Sequence, residues 1–495
     1  MKKYHSFLAA ILFIWGGMTS CNDWLEVSAD SRVVQEDLFS SYEGYRTALN
    51  GIYRLLGAPE LYGRELSWGM VSALGQNYDE NRLPYKYRDL LDKDAKYLES
   101  EAIINPVWEK GYRVIANCNN LYQETLKRDT SFFYEGAVEK NLILGEVIGL
   151  RAMMHFDLLR LFAPSPASKE KGAYIPYVTR YPEYQPVHLS VAQVMDSIIR
   201  DLEYCKQTLV YHDTLYNVYA MSSVTSRMQG NSSLVKGGMF FHSRGTRMNY
   251  FAATALLARA YLYNGDKANA YRCANDMYQY ASRRTWYAFT PSYEIDVTNV
   301  NNISRKMYDD ILLACVNNQM YEIYNATRDY SSFMFYKNVD DLFGTDLDDY
   351  RKTKLIETEG SSRRWAKPTP SSENDYTVNT VIQFQGPLAP VIRLSEVMYI
   401  MCEYLAETNL TEAKNLLQKV RSARGAKTPI AASVDKDDFL EMLYKDFVRE
   451  SMSEGQTFFL YKRLDRPIYN GEYDLDMTGR YVLPKPHSET SYSNL

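Results

Sequence analysis

A chain of 495 residues, 46% hydrophobic and 24% charged, is long enough to bury a large core without disulfides. Its net charge of −5 at pH 7, with no basic stripe interleaved with aromatics, argues against nucleic acid as a partner. Tyrosine outnumbers phenylalanine 43 to 19, so much of the aromatic surface carries a polar handle.

The chain opens with the layout of a secretory signal: Lys2 and Lys3, an apolar run from Phe7 to Trp15, then small and turn residues up to Cys21. The apolar run is too short to span a membrane, which takes roughly 20 residues. Met18, Thr19 and Ser20 before Cys21 resemble a bacterial lipobox, with Met18 where leucine is usual. The expectation is removal of residues 1–20 and lipidation of Cys21, so that the protein sits on a membrane and not through it. No Pro/Ser/Gly linker divides the rest. Residues 21–220 are read as an N-terminal region and residues 221–495 as repeat helices and a C-terminal region, packed as one unit.

Helical periodicity is strong in several places. In residues 145–162, Val147, Leu150, Met154, Leu158 and Leu161 mark one apolar face, and Ala163-Pro164 stops the helix. Residues 190–205 start at Ser190, a natural N-cap, with Val191, Val194, Ile198 and Leu202 as their face. Residues 248–281 and 393–425 look like one unit used twice. Each is a helix, a break (Asn264-Gly265-Asp266 in the first, Thr408-Asn409 in the second) and a further helix. This is the helix–turn–helix pattern of tetratricopeptide-like repeats, and it predicts a mostly α scaffold with long irregular loops. The loops fall at 68–102, 209–245, 282–306 and 358–385; their aromatic content predicts that most are ordered. Cys118, Cys205, Cys273, Cys315 and Cys402 form no C-x-x-C pair and are read mostly as buried thiols on helices.

Catalytic and metal signatures are lacking. The sequence has no H-E-x-x-H, G-x-S-x-G, G-x-G-x-x-G or P-loop string, and its six histidines are scattered. His155 reads as a satisfied core histidine. The acidic run from Asp340 to Asp349 lacks the glycine and terminal glutamate of a calcium loop and reads as a solvated face. Glu146, Arg151, Arg393, Glu396, Glu450, Glu454 and Arg463 are read as buried or half-buried ion pairs between helices, not as acid–base machinery.

Nine short strings in order resemble the SusD/RagB lipoproteins. They are CNDWLE (21–26), ALNGIYRLL (48–56), VWEKGYRVIANCNNLY (107–122), GEVIGLRAMMHFDLLRLFAP (145–164), RMNYFAATALLARAYLYNGD (247–266), DDYR (348–351), VIRLSEVMYIMCEYLAE (391–407), RESMSEGQTFFLYKRL (449–464) and VLPKPHSE (482–489). The resemblance implies a SusD-like, tetratricopeptide-type fold. It also implies an outer-membrane lipoprotein, facing the cell exterior, that needs no cofactor or metal and performs no chemistry. Such a protein holds an oligosaccharide, or in the RagB-like branch a peptide, and delivers it to a SusC-like TonB-dependent transporter. A surface hydrolase or a structural lipoprotein is the remaining alternative. Sugars offer apolar faces to aromatic rings and hydroxyls to polar side chains. By analogy with the family's contact loops, the ligand-binding residues are expected to be Trp68, Asn77, Tyr78, Tyr85 and Tyr87, then Trp286, Tyr287 and Tyr293, with Trp365 in reserve.

Overall fold

The computed structural model describes residues 35–91, 100–299, 302–329, 336, 339–359, 362–368 and 384–492. The expected signal and Cys21 lie outside them, as do parts of the 68–102, 282–306 and 358–385 loops. The described residues are mostly helical. The long helices are α1 (Tyr42–Leu56), α2 (Glu101–Lys127), α3 (Gly136–Phe162), α4 (Val191–Tyr211), α5 (Tyr250–Tyr263), α6 (Lys267–Arg283), α7 (Leu394–Thr408), α8 (Leu410–Ala423), α9 (Lys436–Ser451) and α10 (Thr457–Leu464).

α3 is the centre of the N-terminal half, packed between α2 and α4. The expected apolar face is there, but from Leu142 onward the helix is buried all round. A helix buried on every side needs partners for its polar residues. Arg151 binds Asp201 of α4 at 2.6 Å and Asn119 of α2 at 2.9 Å. Glu146 pairs with Arg244 and with Arg247, the latter at 3.1 Å. His155 donates through Nδ1 to the Arg151 carbonyl and accepts the Val178 N–H at Nε2, with its ring stacked on Tyr177 at 4.0 Å. α4 begins on a complete capping box: Ser190 Oγ accepts from the Gln193 N–H, and Gln193 Oε1 accepts from the Ser190 N–H.

Both predicted helix pairs form. α5 and α6 turn at Gly265, whose φ of +84° suits a residue without a Cβ. Asp266 then caps α6 by accepting from the Asn269 N–H. α7 and α8 share Asn409, which caps α8. α6 packs on α7, so the pairs stack in series, and α4 packs on α5, joining the two halves of the chain. An antiparallel two-stranded sheet, Ile311–Val316 against Leu388–Arg393, delivers the chain into α7. The five described cysteines are buried and free, four on helices as expected and Cys315 on this strand.

Charged residues converge behind α9. Arg351 binds Asp349, Asp446 and Glu450; Arg424 binds Glu450 and Asp310; Arg393 binds Asp310 at 2.8 Å and Glu454 at 2.5 Å. Lys367 adds a contact to Glu454 at 2.9 Å. Every ion-pair residue named from sequence is paired as expected, including Glu396 with Arg259 and Arg463 with Glu403. The acidic run corrects the reading of a solvated face in part. Asp346 is buried against Arg421 and Arg449, and Asp349 is buried against Arg351. Asp340, Asp341 and Asp348 stay at the surface as expected.

Removing one partner of a buried ion network leaves a charge uncompensated, at a cost of about 3–5 kcal/mol. Arg424→Met, which removes one of two arginine partners from each of Asp310 and Glu450, is therefore expected to cost about that much in denaturant unfolding. Lys127→Met, at the exposed pair with Glu124, is expected to cost under about 1 kcal/mol. Equal losses would remove the network from the stability argument.

Burial, with Arg151 beside it, holds the His155 pKa down to about 3. The native protein therefore refuses a proton that the unfolded chain takes below about pH 6.5. Stability contributed by this group is full above pH 6.5 and falls as pH drops toward 3, by about 1.4 kcal/mol per pH unit. The thermal midpoint is expected to fall more steeply between pH 6.5 and 4.5 than in His155→Gln, and parallel curves would contradict this account.

Candidate binding cleft

A cleft of about 580 Å³ opens beside the charged network. Five separate segments build it. The outer face of α9 gives Glu441, Tyr444, Lys445 and Val448, spaced as one helical stripe. α10 gives Thr457 and Tyr461, one turn apart. At the end of α10, Asp465 adopts a left-handed conformation and turns the chain into Arg466, Pro467 and the hairpin Ile468–Tyr469/Asp474–Leu475. In this hairpin Tyr469 and Asp474 are directly opposed, so their side chains share a face. Tyr336 and the short helix Val339–Phe343 supply another wall, and residues 75–77 the last.

Residues 75–77 are seated against the start of α10. A Cβ on Gly75 would lie 3.0 Å from the Phe458 nitrogen and 3.1 Å from Thr457 Cβ, so any larger residue would push the loop and α10 apart by a few tenths of an ångström. Gln76 follows at φ +56°, a left-handed conformation that non-glycine residues rarely take. The Asn77 amide then points its Nδ2 to the Gly75 carbonyl and to Thr457 Oγ1, both at 3.3 Å. The carbonyl fixes which end of the amide is the donor. Asn77 Oδ1 is left buried with no hydrogen-bond partner.

The tyrosines and charges of the walls are interlinked. Tyr469 donates to Asp341 at 2.9 Å. Arg466 binds Glu441 at 2.5 Å and lies 5.4 Å over the Tyr444 ring. Asp340 is held by Lys352 and Arg363, each at 2.9 Å, and hydrogen bonds from Arg363 and then Lys352 keep its pKa below the usual carboxylate range. That is the reverse of what a general acid requires. Burial pushes the Tyr461 phenol up to about 12, and Glu441 and Asp474 add to the rise. Burial also raises Tyr336. These phenols stay protonated at neutral pH, as neutral rings with a donor at one end.

The structure redistributes the residues expected to touch ligand. Asn77 borders the cleft. Tyr85 and Tyr293 are well exposed, at 68% and 73%, but do not line it. The expectation for the other five gives way to packing, since none presents an open ring face. Trp68 is edge-on to Tyr324, and Tyr78 donates to the Trp68 carbonyl at 2.6 Å. Tyr87 donates to Glu65, Trp286 packs on Phe251, and Tyr287 lies under Arg227. Trp365 is likewise buried, donating to the Met452 carbonyl. Sequence reasoning missed Tyr336, Tyr461 and Tyr469. One signal for Tyr469 was available: Asn470-Gly471 is a strong hairpin marker, and it stands between Tyr469 and Tyr473-Asp474.

Residues 23–229 match the family SusD-like_3, described as "Starch-binding associating with outer membrane". Nothing among curated proteins matches. Solved structures share the fold over most of the chain. A putative sugar binding protein from Bacteroides vulgatus is 19% identical, with a TM-score of 0.65, over 91% of this chain and 96% of that one. A SusD superfamily protein from Bacteroides thetaiotaomicron is 20% identical, with a TM-score of 0.63, over 91% and 98%. A SusD-like carbohydrate binding protein from Bacteroides vulgatus is 18% identical, with a TM-score of 0.61, over 86% and 84%.

Proposed function

We propose that this chain, whose residues 23–229 match the SusD-like family, captures oligosaccharides in the tyrosine-lined cleft and hands them to a SusC-like TonB-dependent transporter of the outer membrane. The observation that carries this reading is the pairing of protonated tyrosine rings with an unsatisfied buried acceptor at Asn77. Rings stack on the apolar faces of pyranoses, and the acceptor takes a hydroxyl. The role is binding without catalysis. The lipobox pattern at Cys21 supports an anchor that holds the protein on the outer face of the membrane. No described helix is long and apolar enough to cross a membrane.

The test is calorimetric titration of soluble protein starting after Cys21 against plant, microbial and host glycans and mixed peptides. One glycan class is expected to bind. Tyr461→Ala and Tyr469→Ala should each weaken it about tenfold, ~1.4 kcal/mol, while Tyr85→Ala, outside the cleft, leaves it unchanged. Binding to peptides alone would replace the glycan reading with peptide capture. Loss of glycan binding in Tyr85→Ala but not in Tyr461→Ala would move the site elsewhere.

A further inference from the structure

The charge arrangement of the cleft speaks to the kind of glycan it takes, an inference that rests on the glycan reading above. The ionisable groups of its walls are largely committed to one another. Glu441 holds Arg466, Asp340 holds Lys352 and Arg363, and Asp341 accepts from Tyr469. Lys445 and Asp474 complete the charged lining, which sets four carboxylates against two cations and so disfavours an anion. An anionic ligand recruiting Arg466 would have to compete for it with Glu441. The second observation is Asn77 Oδ1. Among the described lining residues it is the buried polar atom without a partner, and being an acceptor it calls for a donor. A hydroxyl or an acetamido N–H meets that need. A carboxylate or sulfate oxygen placed there sets acceptor against acceptor.

We propose that the cleft selects uncharged oligosaccharides, built of hexose or N-acetylhexosamine units, that donate a hydrogen bond to Asn77. It discriminates against uronate-bearing, sialylated and sulfated chains. Recognition then runs through ring stacking and a neutral hydrogen bond, so it is nearly independent of ionic strength, whereas capture of an anion by a cation is screened by salt.

The experiment titrates the soluble protein with two sets of oligosaccharides at low and at high sodium chloride. The neutral set is gluco-, manno-, galacto- and chito-oligosaccharides; the acidic set is oligogalacturonates, sialylated oligosaccharides and sulfated glycosaminoglycan fragments. Binding is expected within the neutral set only, with an affinity that changes by less than about twofold between about 50 and 500 mM salt. Asn77→Ala, which removes the acceptor and leaves Thr457 in place, should weaken that ligand about tenfold. Tighter binding of an acidic glycan, weakened severalfold by salt, would overturn the proposal while leaving the glycan reading intact. An unchanged affinity in Asn77→Ala would remove Asn77 from recognition. Failure of both sets alongside binding of peptides would bring down the underlying glycan reading, and this inference with it. The salt comparison uses the unmodified chain, so it decides the charge question even if Asn77→Ala does not fold.

Discussion

The ion network behind α9 is the constraint on which the C-terminal half depends. Burial alone would raise the pKa of Glu454 and Glu450 and favour their neutral forms. Arg393 and Lys367 on the first, and Arg424 and Lys367 on the second, outweigh it and hold both below the ordinary carboxylate range. The network therefore exists as charges, and each charge is worth its desolvation only while its partners stay in place. Those partners come from distant parts of the chain: Asp310 before a strand, Arg393 after its antiparallel mate, Arg351 in a short helical turn, Arg424 at the end of α8. Satisfying all of them at once fixes the relative position of these elements far more tightly than apolar contact, which tolerates sliding. A buried charge left a few ångströms from its partner is costly, and a methyl group displaced as far is not.

This constraint also shapes the cleft. α9 turns Asp446 and Glu450 inward to Arg351, and Glu441, Tyr444, Lys445 and Val448 outward to the opening. One turn from Asp446, Arg449 donates to the Leu342 carbonyl at 2.9 Å, the Phe343 carbonyl at 3.1 Å and Asp346 at 2.7 Å. It thereby ties down the short helix that carries Asp340 and Asp341. The opposite wall is held from the N-terminal half. Lys462 of α10 is fully buried and donates to the carbonyls of Arg160 and Ala163 at the end of α3, and to that of Tyr481. The Lys462 amine satisfies orphan carbonyls at the helix C-terminus, and burial, with Arg160 nearby, holds its pKa well below the ordinary lysine range. Its neighbour Tyr461 is consequently presented to the cleft at a fixed height relative to α3.

Much of this scaffold was legible in the sequence because it obeys local rules. Ser190 caps where a capping box predicts it, both helix pairs turn at their polar breaks, and the charged residues inside helical patterns prove to be ion pairs. Less was legible about the site, for a physical reason. A tyrosine in a polar stretch carries the same local signal whether its ring is buried with its hydroxyl bonded, as in Tyr87, or open to solvent, as in Tyr85 two positions earlier. Which occurs depends on Glu65, which lies outside the local pattern. The acidic run failed in the same way. Asp346 and Asp349 look like solvated residues until Arg421, Arg449 and Arg351 are brought to them by the fold. The cleft itself draws on five segments separated by up to several hundred residues, so no window of sequence contains it.

The division of labour on α9 bears on how such a scaffold accommodates different ligands. The family match covers residues 23–229, which include Asn77 but none of the wall residues from Tyr336 to Asp474. Those wall residues occupy positions whose replacement leaves the inner network intact: outer positions of α9, the exposed tip of a short hairpin, and the surface of a short helix. A change at Lys445 or Tyr469 alters stacking area or charge in the cleft without disturbing Asp446 or Glu450. A change at either carboxylate takes away one of the three partners of the buried Arg351 and weakens the network that holds this half together. Shared fold at 18–20% identity is thus what the inner face of this architecture secures, while the outer face, where the energetic penalty for substitution is small, leaves the lining of the cleft free to vary.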